Sequence, residues 1–202
     1  MCCQYYIEKT EKLEDVVEEM NRSPLLPRFE RRRENSFGRI RPTDVAPALA
    51  TSRGGKPAVF PMQWGFRGRT LLINARAESA ASKPTFRESW LEHRCALPAS
   101  FYVEWEHPAG PDGKPRKGDP FRLQPRGAEM LWLCGLYRIE EGLPRFVVLT
   151  REPGDEIRFL HDRMPLMLPE NCLEDWIRPG TDPAPLLGFA LTGMEFSRLD
   201  MP

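Results

Sequence analysis

The sequence predicts a single α+β domain over residues 1–202, rich in short, mostly antiparallel β-strands with short helices at its periphery. The apolar runs are short and are separated by turn residues, and the chain contains 21 prolines. Strand and helix patterns do not alternate as β–α–β units, which argues against a parallel sheet with crossover helices. A chain of this length can bury one substantial core, and no repeat or linker divides it.

The pattern along the chain predicts these elements in order. A strand is expected at residues 4–7, and Thr10 is expected to begin a helix to about Met20, because Leu13, Val17 and Met20 share one helical face. Further strands are predicted at 58–60, 71–73, 95–98, 101–105, 121–123, 130–138 and 146–150. Further helices are predicted at 74–81, 86–91, 154–160 and 169–176. Residues 107–120, rich in Gly and Pro, are predicted to form a loop.

Composition restricts the function classes. No apolar run approaches 18 residues, so no transmembrane helix is predicted. The N-terminus carries Glu8, Glu11 and Glu14 where a signal peptide needs a basic and then an apolar stretch, which indicates a cytoplasmic protein. Net charge is zero, so a surface for nucleic acid has to be local. Five cysteines without metal-ligand spacing predict reduced thiols and neither a metal site nor a cofactor.

Met1-Cys2 is the first candidate for chemistry. Removal of Met1 would leave an α-amine and a thiol on the same residue, and both groups are partly nucleophilic near neutral pH. Such a pair can attack an acyl group, or it can condense with an aldehyde to a five-membered thiazolidine. The alternative is an ordinary residue at a frayed terminus.

Two polar residues follow or interrupt apolar runs. Asn74 comes directly after a predicted strand and can direct its amide into a pocket, although it could equally cap the next helix. Arg76 can hold a phosphate or remain a surface residue. Glu104 lies among aromatic residues and could act as a general acid or base if buried beside Trp105. Strict alternation would instead turn Glu104 to water.

His161 and Arg163 lie in a charged turn that ends in a proline. Histidine suits proton transfer near neutral pH, and Arg163 can supply positive charge. The densest positive charge is at Arg31, Arg32 and Arg33, which predicts either a solvated loop or a phosphate-contacting loop.

Taken together, these stretches resemble the SRAP family, the SOS response-associated peptidases that are also called abasic-site processing proteins. The resemblance covers essentially the whole chain and rests on Met1-Cys2, Met62-Gln63-Trp64-Gly65, Asn74-Ala75-Arg76-Ala77-Glu78, Cys95-Ala96-Leu97-Pro98-Ala99 with Glu104-Trp105, and His161-Asp162-Arg163-Met164-Pro165. Family members usually begin Met-Cys-Gly-Arg, whereas this chain has Cys3 and Gln4.

The resemblance implies one SRAP-like domain with a barrel-like core. It implies a monomer that senses abasic sites in single-stranded DNA during the DNA damage (SOS) response, nucleoid-associated when bound, with crosslinking and lyase-type activity. Cys2 would form a thiazolidine crosslink after loss of Met1. The resemblance assigns catalytic roles to Cys2, Asn74, Glu104 and His161.

The expected DNA contacts combine that resemblance with charge and stacking. The implied phosphate contacts are Arg76 and Arg163, with the run of Arg31, Arg32 and Arg33 as a further candidate. Trp64 and Trp105 are candidates for base stacking, with core packing as the alternative for both. Two alternatives stay open for the whole protein: a thiol peptidase or autopeptidase that uses the same Cys2, and a binding module without catalysis.

Overall fold

A computed structural model describes residues 3–30, 36–108, 116 and 118–199. Cys2, Arg31, Arg32 and Arg33 therefore lie outside the described residues. The strands are β1 (Tyr5–Ile7), β2 (Gly38–Ile40), β3 (Val45–Thr51), β4 (Pro57–Trp64), β5 (Asn74–Arg76), β6 (Arg94–Ala99), β7 (Phe101–Trp105), β8 (Pro120–Pro125), β9 (Leu131–Glu140), β10 (Leu143–Arg151), β11 (Met164–Pro165) and β12 (Met194–Arg198).

The helices are short apart from the first. They are α1 (Glu11–Asn21), α2 (Ala77–Ala80), α3 (Arg87–Glu92) and α4 (Leu173–Ile177), and 3₁₀ turns lie at Leu26–Arg28, Asp155–Ile157, Glu170–Cys172 and Ala184–Phe189. Within the described ranges, no helix has the length and apolar character needed to cross a membrane.

Five strands close into a barrel. They follow the order β10-β4-β3-β6-β9, and β9 pairs back onto β10. Every contact in this ring is antiparallel except that between β10 and β4. Closure leaves these strands without a free edge. The predicted mostly antiparallel, barrel-like core with peripheral short helices is confirmed.

A second, five-stranded antiparallel sheet packs against this barrel, with the order β12-β8-β7-β1-β2. Tyr5 and Tyr102 from its inner face share one apolar cluster with Trp64 and Phe146 of the barrel. A second cluster lies on the other face of the barrel strands and contains Trp90 and Trp176 from α3 and α4. The inner face of the five-stranded sheet is therefore buried against the barrel.

The structure corrects several predicted boundaries. The strand expected at 71–73 starts only at Asn74, because residues 74–76 pair with β10, whereas Leu72 makes an isolated bridge to Phe66. The helix expected at 74–81 is reduced to α2. The helix expected at 154–160 is a single 3₁₀ turn. Strand β3 was not predicted, because its alanines and Pro47 lack strand propensity, yet it lies within the barrel.

Candidate active site

The start of the described chain is held beside Glu104. Tyr5 lies opposite Tyr102 in the β1–β7 register, and the Val103 amide donates to the Gln4 carbonyl at 3.1 Å. Before β1, Cys3 packs against the buried side chains of Phe101, Val103 and Trp105 in β7. The described chain therefore begins alongside β7, the strand that carries Glu104.

Glu104 is buried, with only 4% of its surface exposed. Its Oε1 accepts a 3.4 Å hydrogen bond from the Trp105 amide. Strand alternation holds, but both faces of β7 are covered: Tyr102 faces the main core, while Val103 and Trp105 pack in a separate cluster on the opposite side. The alternative in which Glu104 faces water is therefore wrong. A glutamate is rarely buried without a specific reason, and proton transfer is one such reason.

His161 lies close enough to Glu104 for their charges to interact. Burial lowers the pKa of His161 below its ordinary value of 6.5, and the negative charge of Glu104 acts in the opposite direction. The Nδ1 atom is 2.6 Å from Asp162 Oδ1 and 3.0 Å from the Arg163 amide nitrogen. One nitrogen cannot serve both at once: it accepts from Arg163 in one tautomer and donates to Asp162 in the other. Nδ1 of the imidazole therefore has a hydrogen-bond partner in both tautomers.

Asn74 is a strand residue and does not cap a helix. It lies beside Val148 in the parallel β5–β10 register, and Arg76 occupies the N-cap position of α2. In a parallel pair, neighbouring side chains share a face, and Val148 belongs to the core between the barrel and the sheet. Asn74 therefore belongs to the same inner side as Tyr102 and Glu104. Arg76 is exposed and available to a ligand.

Arg163 is engaged within the protein. Its guanidinium makes two hydrogen bonds to Glu78, at 2.9 and 2.7 Å, and a third at 2.6 Å to the Thr150 carbonyl. Its side chain is only 10% exposed. A phosphate would have to displace Glu78, so the geometry favours a role for Arg163 in holding the turn after His161.

Trp64 is a core residue. It is 0% exposed, its Nε1 donates to the Ile73 carbonyl at 2.8 Å, and its ring packs against Tyr5 and Phe146. A fully buried ring offers no face to a nucleobase, so the geometry fits the core-packing alternative. Trp105 is buried as well.

Two buried thiols are poor nucleophiles. Burial raises the pKa of Cys95 and of Cys134 far above the ordinary thiol value. Among the described residues, no group of three or more His, Cys, Asp or Glu side chains could hold a metal ion. Cys95 and Cys134 are therefore not candidates for thiol chemistry.

His107 is a neighbour that the sequence did not single out. Its ring centroid lies 5.7 Å from that of His161, edge to face, and its Nδ1 is 3.4 Å from the Leu160 carbonyl oxygen. The sequence around His107 is rich in Gly and Pro and predicts only a loop, so nothing local indicates this contact.

A second polar region lies apart from these residues. Arg28, Arg67 and Arg145 line a cleft of about 400 Å³ together with Glu140 and Glu141. Arg145 pairs with Glu140 at 3.2 Å, and Arg67 pairs with Glu141. Glu140 and Glu141 compensate much of the positive charge of the arginines, so the cleft is lined by an ion-pair network.

Comparison with known proteins agrees with this architecture. The family model described as SOS response associated peptidase (SRAP) matches residues 1–200. The abasic site processing protein YoqW of Bacillus subtilis (strain 168) is 27% identical over 191 residues, which cover 85% of this chain and 79% of that protein. The abasic site processing protein YedK of Escherichia coli (strain K12) is 26% identical over 147 residues, which cover 67% of this chain and 64% of that protein.

Solved structures share the fold. A protein from Bacteroides thetaiotaomicron superposes with a TM-score of 0.74 at 18% identity, covering 98% of this chain and 92% of that one. A phage-related protein from Bordetella bronchiseptica superposes with a TM-score of 0.73 at 20% identity, covering 99% of this chain and 95% of that one. The family model spans nearly the entire sequence, and the chain therefore belongs to the SOS response associated peptidase family.

Proposed function

We propose that this protein senses abasic sites in single-stranded DNA and bonds to them covalently through Cys2 once Met1 has been removed. The observation that carries the proposal is that buried Glu104, on the strand that pairs with β1, lies close enough to His161 for their charges to interact. The names of the relatives supply the substrate class, because YoqW and YedK are abasic site processing proteins.

The chemistry needs only proton transfers. The α-amine of Cys2 attacks the aldehyde of the ring-opened deoxyribose, water leaves, and an imine forms. The Cys2 sulfur then adds to the imine carbon while the thiol proton moves to the nitrogen, which closes a thiazolidine ring. Nothing is oxidised or reduced, and one water is released.

Two groups suit these transfers in the proposed mechanism. Glu104 would accept a proton from the attacking amine and return it to the departing hydroxyl. Neutral His161, which burial favours over the charged form, can assist the opening of the sugar ring. Asn74 would hold the sugar or the Cys2 backbone from the inner face of β5. Each of these roles is part of the proposal.

For the DNA strand we propose phosphate contacts from exposed Arg76 and from the Arg31–Arg33 segment. Arg163 would contribute only after exchanging Glu78 for a phosphate. We expect the protein to act as a monomer in the DNA damage response.

The test is a crosslinking assay. Wild-type protein is incubated with single-stranded oligonucleotides that contain or lack one abasic site, and a heat-stable adduct is sought on a denaturing gel. We expect an adduct with the abasic strand only, with a mass equal to both partners minus one water. Cys2→Ala should abolish it. The matched control is Cys3→Ala, which should retain it, because an internal cysteine has no α-amine.

Two results would refute the proposal: no adduct with wild-type protein whose N-terminus is confirmed as Cys2 by intact mass, or an equal adduct in Cys2→Ala. Repeated turnover of an amide or peptide substrate that depends on Cys2, without DNA adducts, would instead favour the thiol peptidase alternative.

A further inference from the structure

Three phenylalanines from separate segments meet on the surface. Phe121 lies in β8, Phe196 lies in β12, and Phe159 lies in the segment between β10 and β11. The ring centroids are 6.1 Å apart for Phe121–Phe159, 6.1 Å for Phe121–Phe196 and 5.5 Å for Phe159–Phe196. Phe121 is buried, whereas Phe159 is 55% and Phe196 is 42% exposed. We call these three residues the phenylalanine patch.

The patch adjoins the proposed active site. Phe121 lies directly opposite Glu104 in the β7–β8 register, so the two side chains share a face with their Cβ atoms about 5 Å apart. Phe159 precedes His161 by two residues, and the His161 ring interacts with Glu104. Phe196 lies opposite Leu123 on the next strand. The exposed rings of Phe159 and Phe196 therefore lie close to Glu104 and His161, the two proposed proton carriers.

Exposed aromatic rings that pack against one another are typical of a binding surface. Two large phenylalanines that pack together and yet remain about half exposed form an apolar surface of the kind found at binding sites. The tryptophans of the chain's motifs, Trp64 and Trp105, are buried and cannot supply a stacking surface. An unpaired nucleobase has an aromatic face and stacks on such rings without regard to sequence.

The surrounding charges suit a nucleic-acid strand. Arg158 immediately precedes Phe159, and Arg198 lies opposite Phe121 in the β8–β12 register. Both side chains are exposed, and each pairs with a surface acid, Arg158 with Asp155 at 3.2 Å and Arg198 with Asp119 at 3.1 Å. Surface pairs of this kind are weak, so a phosphate group can compete for these guanidinium groups.

We propose that Phe159 and Phe196 stack the nucleobase next to the abasic sugar and so position the aldehyde for Cys2. This inference rests on the proposed function, because the sugar must be held at Glu104 and His161. An abasic site has lost its own base, and its nearest neighbour is therefore the first aromatic group that the protein can grip. The phenylalanine patch accounts for recognition of the strand beside the lesion, separately from the covalent step.

The experiment measures non-covalent affinity with a tetrahydrofuran abasic analogue, which has no aldehyde and cannot crosslink. Wild-type protein is titrated with a strand carrying one analogue, and with strands in which the 5′ or the 3′ neighbour is also replaced. We expect Kd to rise about tenfold when the stacked neighbour is removed, within the ~5- to 150-fold range of base–aromatic stacking. Phe159→Ala should show the same loss on the single-analogue strand and no further loss when that neighbour is absent.

Matched variants separate stacking from general damage. Phe159→Tyr should keep wild-type affinity, and Phe159→Leu should lose it although it stays apolar. Phe189→Ala removes a phenylalanine that is 61% exposed in the 3₁₀ turn Ala184–Phe189, and it should change nothing. Equal affinity of wild type for all strands, or an equal loss by Phe159→Ala on all of them, would overturn the inference.

Failure of this inference is distinguishable from failure of the proposed function. If true abasic strands crosslink normally but neighbour removal has no effect, only the stacking role is wrong. If wild type forms no crosslink, the proposed function is wrong whatever the titrations give. If sedimentation shows that the patch variants dissociate a dimer while Kd for DNA is unchanged, the patch joins two copies of the chain and the stacking inference is overturned.

Discussion

Glu104 lies in β7 and His161 lies in the turn before β11, and the two side chains interact through charge. The carboxylate opposes the fall in the pKa of His161 that burial of the imidazole produces. A buried acid beside a ring that can hold either tautomer is an arrangement suited to moving protons.

Glu104→Gln keeps the shape of the side chain and removes its capacity to carry a proton. We expect the rate of adduct formation to fall about 10²-fold, since general acid–base groups contribute roughly 10²–10⁴-fold. Binding of the tetrahydrofuran analogue should be unchanged. Glu106→Gln, two residues further along the chain, is the control. A wild-type rate in Glu104→Gln would exclude Glu104 as the proton carrier.

The His161 imidazole should titrate below pH 6.5 in the folded protein, because burial lowers its pKa. The unfolded state then binds more protons than the folded state in this range. The contribution of His161 to stability is therefore fully present above about pH 6.5 and is lost as the pH falls through the folded pKa. We expect the free energy of unfolding in urea to fall less between pH 7.5 and pH 5 in His161→Gln than in wild type. An identical loss would mean that another group dominates.

The Arg163–Glu78 pair should stabilise the turn after His161. Arg163→Ala removes the hydrogen bonds to Glu78 and to the Thr150 carbonyl, and we expect a loss of about 1–3 kcal/mol in the free energy of unfolding. Arg158→Ala breaks only an exposed pair with Asp155 and should cost no more than about 0.5 kcal/mol. Equal losses from the two variants would contradict the buried role of Arg163.

The same pair has a pH signature. Burial alone would raise the pKa of Glu78, but the hydrogen bonds and the charge of Arg163 lower it overall. A lowered carboxylate pKa contributes stability that is present above the ordinary value of 4.5 and lost as the pH falls through the folded pKa. The difference in the free energy of unfolding between wild type and Glu78→Gln should therefore shrink as the pH falls from 6 to 3. A difference that stays constant over this range would count against the pair.

Trp64 should matter for stability and not for DNA affinity. Trp64→Ala empties a fully buried site and should cost about 3–5 kcal/mol. Below its melting temperature the variant should bind the tetrahydrofuran strand as wild type does, whereas Phe159→Ala should show the reverse pattern of near-normal stability and weaker binding. Thermal unfolding and fluorescence titration of both variants provide the comparison.

Much of the fold follows from local pattern. Strand β7 coincides with the predicted 101–105, and α1 buries Leu13, Val17 and Met20 as its periodicity predicts. The failures have local causes too. Strand β3 contains three alanines and Pro47, which have low strand propensity, and it becomes a strand because β4 and β6 pair with both of its edges.

The candidate site, like the fold, was predicted in part from the sequence and decided in part by the tertiary structure. From the sequence alone came the aminothiol at Cys2, the choice of Asn74, Glu104 and His161, and the family. Only the tertiary structure decided that Glu104 is buried, that Arg163 is occupied by Glu78, that Trp64 belongs to the core, and that His107 and the phenylalanine patch adjoin the site. The physical reason is that alternation along a strand says which residues share a face. Whether that face meets water, a second sheet or a distant loop depends on contacts between segments far apart in the chain.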